Sequence, residues 1–139
     1  MPIAYRVDHK LRLIVAVAHG TLTVDDLFAY QREVASQSDA EAYDELVDMT
    51  PVTRLVPGPS PRARDLASLA ASTDRPDVRS RFAIVAPSDL AFGLARMYQS
   101  YRESDARTTK DVSVFRTIAE AQAHLGIEGP VELPDYPGR

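Results

Sequence analysis

Apolar positions along the chain fall into short unbroken runs separated by stretches with helical spacing. The clearest case is Arg81–Tyr101, where the apolar run Phe82–Ala86 turns through Pro87-Ser88 into an amphipathic segment. An unbroken run predicts a central strand covered on both faces, because a half-exposed strand would alternate. Ser88 stands where a helix N-cap belongs, and Asp89 suits the positive end of the helix dipole. At about 100° per residue, Leu90, Leu94, Met97, Tyr98 and Tyr101 share one stripe, the face expected to lie on the sheet. Phe92 falls outside that stripe, beside Arg96, Gln99 and Glu103, with Gly93 next to it.

The other segments repeat this unit. Ile3–Val7 and Leu11–Ala18 read as two strands joined across Asp8-His9-Lys10, with Gly20 closing the second. Thr23-Val-Asp-Asp26 opens a helix that keeps its spacing through Leu27, Phe28, Val34 and Ala35 to about Ser36. Tyr43–Met49 reads as a short strand. Prolines 51, 57, 59 and 61 with Gly58 predict an irregular loop over Thr50–Pro61, and Ser60-Pro61 starts a helix running to about Ser72. Val112, Val114 and Phe115 form a last strand, and Thr117-Ile-Ala-Glu120 is a capping box for a helix ending at Gly126. The proline- and glycine-rich end reads as a frayed tail, giving a domain over 1–126 and a flexible tail over 127–139. The order ββαβαβαβα predicts a single-domain α/β fold, a mostly parallel five-stranded sheet covered by about four helices through right-handed crossovers.

Composition narrows the function. A chain of 139 residues, 45% hydrophobic, can bury the core of one domain. A net charge of −4 argues against nucleic acid as partner, since phosphate binding calls for a basic surface. Without cysteine there is no disulfide framework, thiolate nucleophile or cysteine metal site. No leader pattern and no apolar run near the ~20 residues of a membrane span is present, so a cytoplasmic protein without a membrane span is expected. The sequence holds no phosphate-binding Gly-x-x-x-x-Gly-Lys loop, no Gly-x-Gly-x-x-Gly turn and no Gly-x-Ser-x-Gly elbow. No nucleophile–base pair can be named from spacing, so no enzyme, cofactor or metal is expected. His9, His19 and His124 read as surface or capping residues. The acids Asp25, Asp26, Asp44, Glu45 and Asp48 include hard-metal ligand types, but helix-dipole and solvated-surface roles explain them more cheaply.

The order of elements, and the segment Glu45-Leu-Val-Asp-Met-Thr-Pro-Val52 followed by a loop and a helix, resemble the anti-sigma-factor-antagonist (STAS) fold. The likeness is greater still to its bacterial SpoIIAA-like relatives of unknown function, and it covers roughly 2–126. The resemblance implies a phosphorylatable serine at the start of the helix after the third strand, within an Asp-Ser-Ser-Gly-Leu-Gly-like turn. This chain reads Val56-Pro-Gly-Pro-Ser-Pro-Arg-Ala63 there, so Ser60 is the positional match, without the glycine-rich turn and with Pro61 directly after it. Thr50 is the next candidate phosphoacceptor.

Three features are open to two readings each. Ser60, Arg62 and Arg64 combine helix-start amides with guanidinium groups, which suits an anion, or they belong to an exposed loop. The loop with Leu55 and Val56 closes over an apolar cavity, or it plugs the edge of the core. Phe92, Gly93 and Arg96 mark a homodimer contact, or Phe92 is one of the single exposed apolar residues common on surfaces. Two functions fit: a non-enzymatic regulatory or protein-interaction module, or a carrier of a small apolar or anionic ligand, lipids included. A continuous apolar cavity of several hundred Å³ is the feature expected of a carrier.

Overall fold

The computed structural model describes residues 2–138, with Ser60 described by its backbone alone. Strands β1 (Ile3–Asp8) and β2 (Leu13–Ala18) form the expected hairpin, and the chain then kinks at Gly20, whose φ of 65° suits glycine, into a short strand β3 (Gly20–Thr23). Helix α1 (Val24–Ala35) follows, capped by a reciprocal Thr23/Asp26 box. Strands β4 (Asp44–Asp48) and β5 (Val52–Val56), helix α2 (Ser60–Thr73), strand β6 (Ser80–Val85), helix α3 (Asp89–Glu103), strand β7 (Lys110–Phe115) and helix α4 (Ile118–Leu125) complete the order. Ser88 caps α3 by accepting from the Ala91 amide at 3.1 Å, Thr117 caps α4, and Gly126 ends α4 in the left-handed conformation.

The main sheet runs β1-β2-β4-β6-β7. It is mixed rather than simply mostly parallel, because β1 pairs antiparallel with β2 while the other three pairings are parallel. Side chains alternate across it. Ile14, Ala16, Val47, Phe82 and Ile84 face a core shared with α1 and α3, while Leu13, Val15, Leu46, Ala83 and Val85 face α4. Both faces are covered, which is why β2 and β6 read as unbroken apolar runs.

Two expectations are corrected, the second in part. The proline-rich stretch 50–61 is not wholly irregular: Val52–Val56 pairs in parallel with β3 as a separate two-stranded ribbon. Its prolines flank the strand and leave the ladder amides intact, and the Gly20 amide donates to the Pro51 carbonyl at 3.1 Å. On α3, Ala91, Ala95 and Arg102 are buried and Tyr98 faces the core with its ring 6.3 Å from that of Phe82, whereas Leu90 is 54% exposed. The predicted stripe holds at Tyr98 and fails at Leu90, with the small Ala91 and Ala95 buried against the core. Residues 127–138 form no helix or strand but do make contacts. Ile127, Val131 and Leu133 pack on the α4 face, Arg6 Nε donates to the Glu132 carbonyl at 2.8 Å, and the Tyr136 ring stacks on His19 at 5.0 Å. Helix α4 is only 8 residues long and leaves apolar strand surface that this segment covers.

Candidate functional site

Helix α2 meets its neighbours with small residues: Ala67, Ala70 and Ala71 are buried with Leu66, and it packs on α1 and α3. Ala91 and Ala95 of α3 are equally small. The space these residues do not fill is an apolar cavity of about 120 Å³ toward the C-terminal ends of β4 and β6. Leu27 of α1, Val47 and Ile84 of the sheet, Leu55 and Val56 of the ribbon and Leu66 of α2 line it. The ribbon edge and the following Pro57 therefore border a cavity, as one of the two sequence readings held, although its volume is below several hundred Å³.

Tyr30 and Tyr98 form the cavity wall nearest the N-terminal ends of the strands, and each leads into a buried ionic group. The Tyr30 hydroxyl donates to Glu45 Oε2 at 2.6 Å, and Glu45 Oε1 accepts from Lys110 Nζ at 3.0 Å. Tyr98 accepts from Arg102 at 2.8 Å, and Arg102 is paired with Asp74 at 2.5 Å. Asp74 also accepts from the backbone amides of Thr109 and Lys110, so it ties the end of α2 to the start of β7. The side chains of Arg102 and Asp74 are 2% and 4% exposed, and charges this deeply buried persist only when paired and hydrogen-bonded. Burial, with the Glu45 carboxylate alongside, pushes the Tyr30 phenol well above its ordinary pKa. Burial takes Tyr98 up to about 12, with Arg102 pulling the other way. Both phenols are therefore neutral at ordinary pH.

The residues singled out in the sequence do not converge. Arg62 pairs with Asp25 of α1 and lies over the Phe28 ring at 4.4 Å, while Arg64 lies over Tyr101 of α3 at 5.5 Å. The two guanidinium groups lie against different neighbours. Ser60 is the first residue of α2, and its side chain lies outside the described residues. Thr50 is exposed, its hydroxyl donating to buried Asp48 at 2.5 Å. Phe92 is not on a free polar face: it is half-buried against the main core with Arg116 over its ring at 4.1 Å, while Gly93 and Arg96 are exposed. The acids scatter into local tasks. Asp26 completes the α1 cap, Asp44 accepts from the Arg81 amide, and Glu45 and Asp48 are buried among hydrogen bonds. His9 reaches the Tyr43 hydroxyl at 2.9 Å; His19 and His124 are half-buried, and the Nε2 of each has no hydrogen-bond partner among the described residues.

Sequence reasoning missed the Tyr30–Glu45–Lys110 and Tyr98–Arg102–Asp74 groups. One signal was available: Ala91, Ala95, Tyr98 and Arg102 follow helical spacing, so an arginine stands in line with small core residues.

No family model matches this chain, and no curated protein matches it. Among solved structures, it is similar to an uncharacterised DUF3478-family protein with a SpoIIAA-like fold from Shewanella loihica PV-4. The identity is 18%, the match covers 88% of this chain and 93% of the other, and the TM-score is 0.55. With the strand order and helix placement described above, this similarity establishes that the chain has a SpoIIAA-like α/β fold.

Proposed function

We propose that the chain is a non-catalytic module that binds a small apolar ligand in the cavity beneath α2. The observation that carries this reading is the apolar cavity itself, bordered by α1, α2, α3 and the ribbon near the C-terminal ends of the strands. Open α/β sheets receive ligands at that end. The volume sets the scale: an apolar protein cavity of about 150 Å³ takes up benzene, so about 120 Å³ suits a single ring or a short chain. Titration with toluene, followed by amide chemical shifts, tests it. Saturable shifts at Leu27, Ile84 and Ala95 are expected, and Ala63→Phe, which fills the cavity from α2, should abolish them. Shifts that do not saturate, or that survive Ala63→Phe, would sink the reading.

A regulatory interaction module is the second reading, favoured by one observation: Leu90, 54% exposed on the first turn of α3, is a large apolar side chain offered to solvent. Its sites would be Ser60 or Thr50 as phosphoacceptor, Ser60 with Arg62 and Arg64 for an anion, and Phe92, Gly93 and Arg96 for self-association. An anion at the start of α2 would have to draw Arg62 away from Asp25. Solution mass distinguishes the readings. A dimer that Phe92→Arg converts to a folded monomer supports the module, and a monomeric wild-type chain removes the self-association surface.

A further inference from the structure

A second pocket, polar and of about 70 Å³, lies beside the apolar cavity near the C-terminal ends of α1 and α2. Glu45, Lys110, Gln31, Thr73, Ser80 and Thr109 are among its walls. Gln31 borders both spaces, and its side-chain amide donates to Thr73 Oγ1 at 3.1 Å. Tyr30 lines the apolar cavity while its hydroxyl ends on Glu45 in the wall of the polar pocket. The two spaces are thus separated by side chains from a single turn of α1.

Two physical features decide what the polar pocket accepts. The Lys110 ammonium gives one N–H to Glu45, and its other two have no hydrogen-bond partner among the described residues. A bound group therefore finds donors waiting. Charge, in contrast, is already balanced: Glu45 is paired with Lys110, Asp74 with Arg102, and Arg75 at the rim with Glu41. A further buried charge would arrive without a counter-ion and bear its desolvation cost alone. A carboxylate head would also face Glu45, Asp74 and Glu41 at close range, whereas a hydroxyl or amide meets the same donors without that repulsion.

Resting on the apolar-ligand reading above, we propose that the two pockets form one site for a neutral amphiphile. Its apolar body would lie beneath α2, and its uncharged hydroxyl or amide head would pass Gln31 and accept from Lys110. The test compares propylbenzene, phenylpropanol and phenylpropionate on the full chain at neutral pH, by calorimetry and amide shifts. Phenylpropanol should bind about tenfold more tightly than propylbenzene, the gain expected of one well-made hydrogen bond. Phenylpropionate should bind no more tightly than the hydrocarbon. The double variant Lys110→Met/Glu45→Gln, which leaves no unpaired charge, should erase the advantage of the alcohol and keep hydrocarbon binding. Equal binding of alcohol and hydrocarbon, or tightest binding of the carboxylate, would overturn the amphiphile proposal while leaving the apolar site standing. Failure of all three to bind saturably would instead remove the apolar reading on which it rests.

Discussion

Replacing Arg102 by methionine should destabilise the fold far more than the loss of a surface ion pair would. Methionine preserves most of the volume of the arginine stem, so packing changes little, but Asp74 stays behind with a side chain only 4% exposed. Its carboxylate would keep two backbone donors, from Thr109 and Lys110, and lose its counter-ion; Tyr98 would lose a donor as well. Breaking one partner out of a buried pair costs about 3–5 kcal/mol. For 139 residues the unfolding entropy near the transition is about 0.3 kcal/mol/K, so Tm should fall by roughly 10–17 °C. Circular dichroism melts and urea titrations read both quantities. Adding Asp74→Asn should recover part of the loss, because an amide tolerates the missing cation, so the double variant should be more stable than the two single effects predict by addition. A Tm for Arg102→Met within 3 °C of wild type, or strict additivity with Asp74→Asn, would show that the pair is solvated and that the reasoning is wrong.

Other expectations follow from the same geometry. Ending the chain at Gly129 removes Val131 and Leu133 from the α4 face and the Tyr136 ring from His19, and should lower the urea midpoint measurably; an unchanged midpoint would mean that the segment contributes nothing. Ultraviolet titration should show Tyr30 and Tyr98 still protonated at pH 11. The sign follows directly: the unfolded phenols lose protons near pH 10 while the folded ones hold them, so stability should decline as pH rises from about 10 through 12. Leu22→Ala, in a fully buried position on the ribbon, should cost about 2–5 kcal/mol by urea unfolding; a cost below about 1 kcal/mol would mean that the ribbon is not part of the cooperative core.

The elements whose signals are local were legible in the sequence. Unbroken runs marked β2 and β6 because both sheet faces are covered, and Thr23, Ser88 and Thr117 marked helix starts because capping depends on residues three or fewer positions away. What escaped depends on distant partners. The strand Val52–Val56 is defined by pairing with Gly20–Thr23, which no local pattern reveals between prolines. The facing of α3 was read rightly at Tyr98 and wrongly at Leu90, because periodicity weighs large apolar residues whereas Ala91 and Ala95 are the ones buried against the core. A cavity at Leu55 and Val56 was one of two readings of the sequence, and its polar neighbour was not read at all. Glu45 and Lys110 are 65 positions apart, and neither stands out in its own segment.

The last segment of the chain returns to the first strand, with Arg6 bonded to a carbonyl 126 positions later. During synthesis at 5–20 residues per second, β1 and β2 would emerge roughly 6–25 s before the residues that cover them. For that interval Leu13 and Val15 lack their final cover, so the nascent chain presents an apolar strand surface well suited to a holdase. The same separation makes completion of this face a late step, since the ordering of a long intervening chain precedes any gain from the contact.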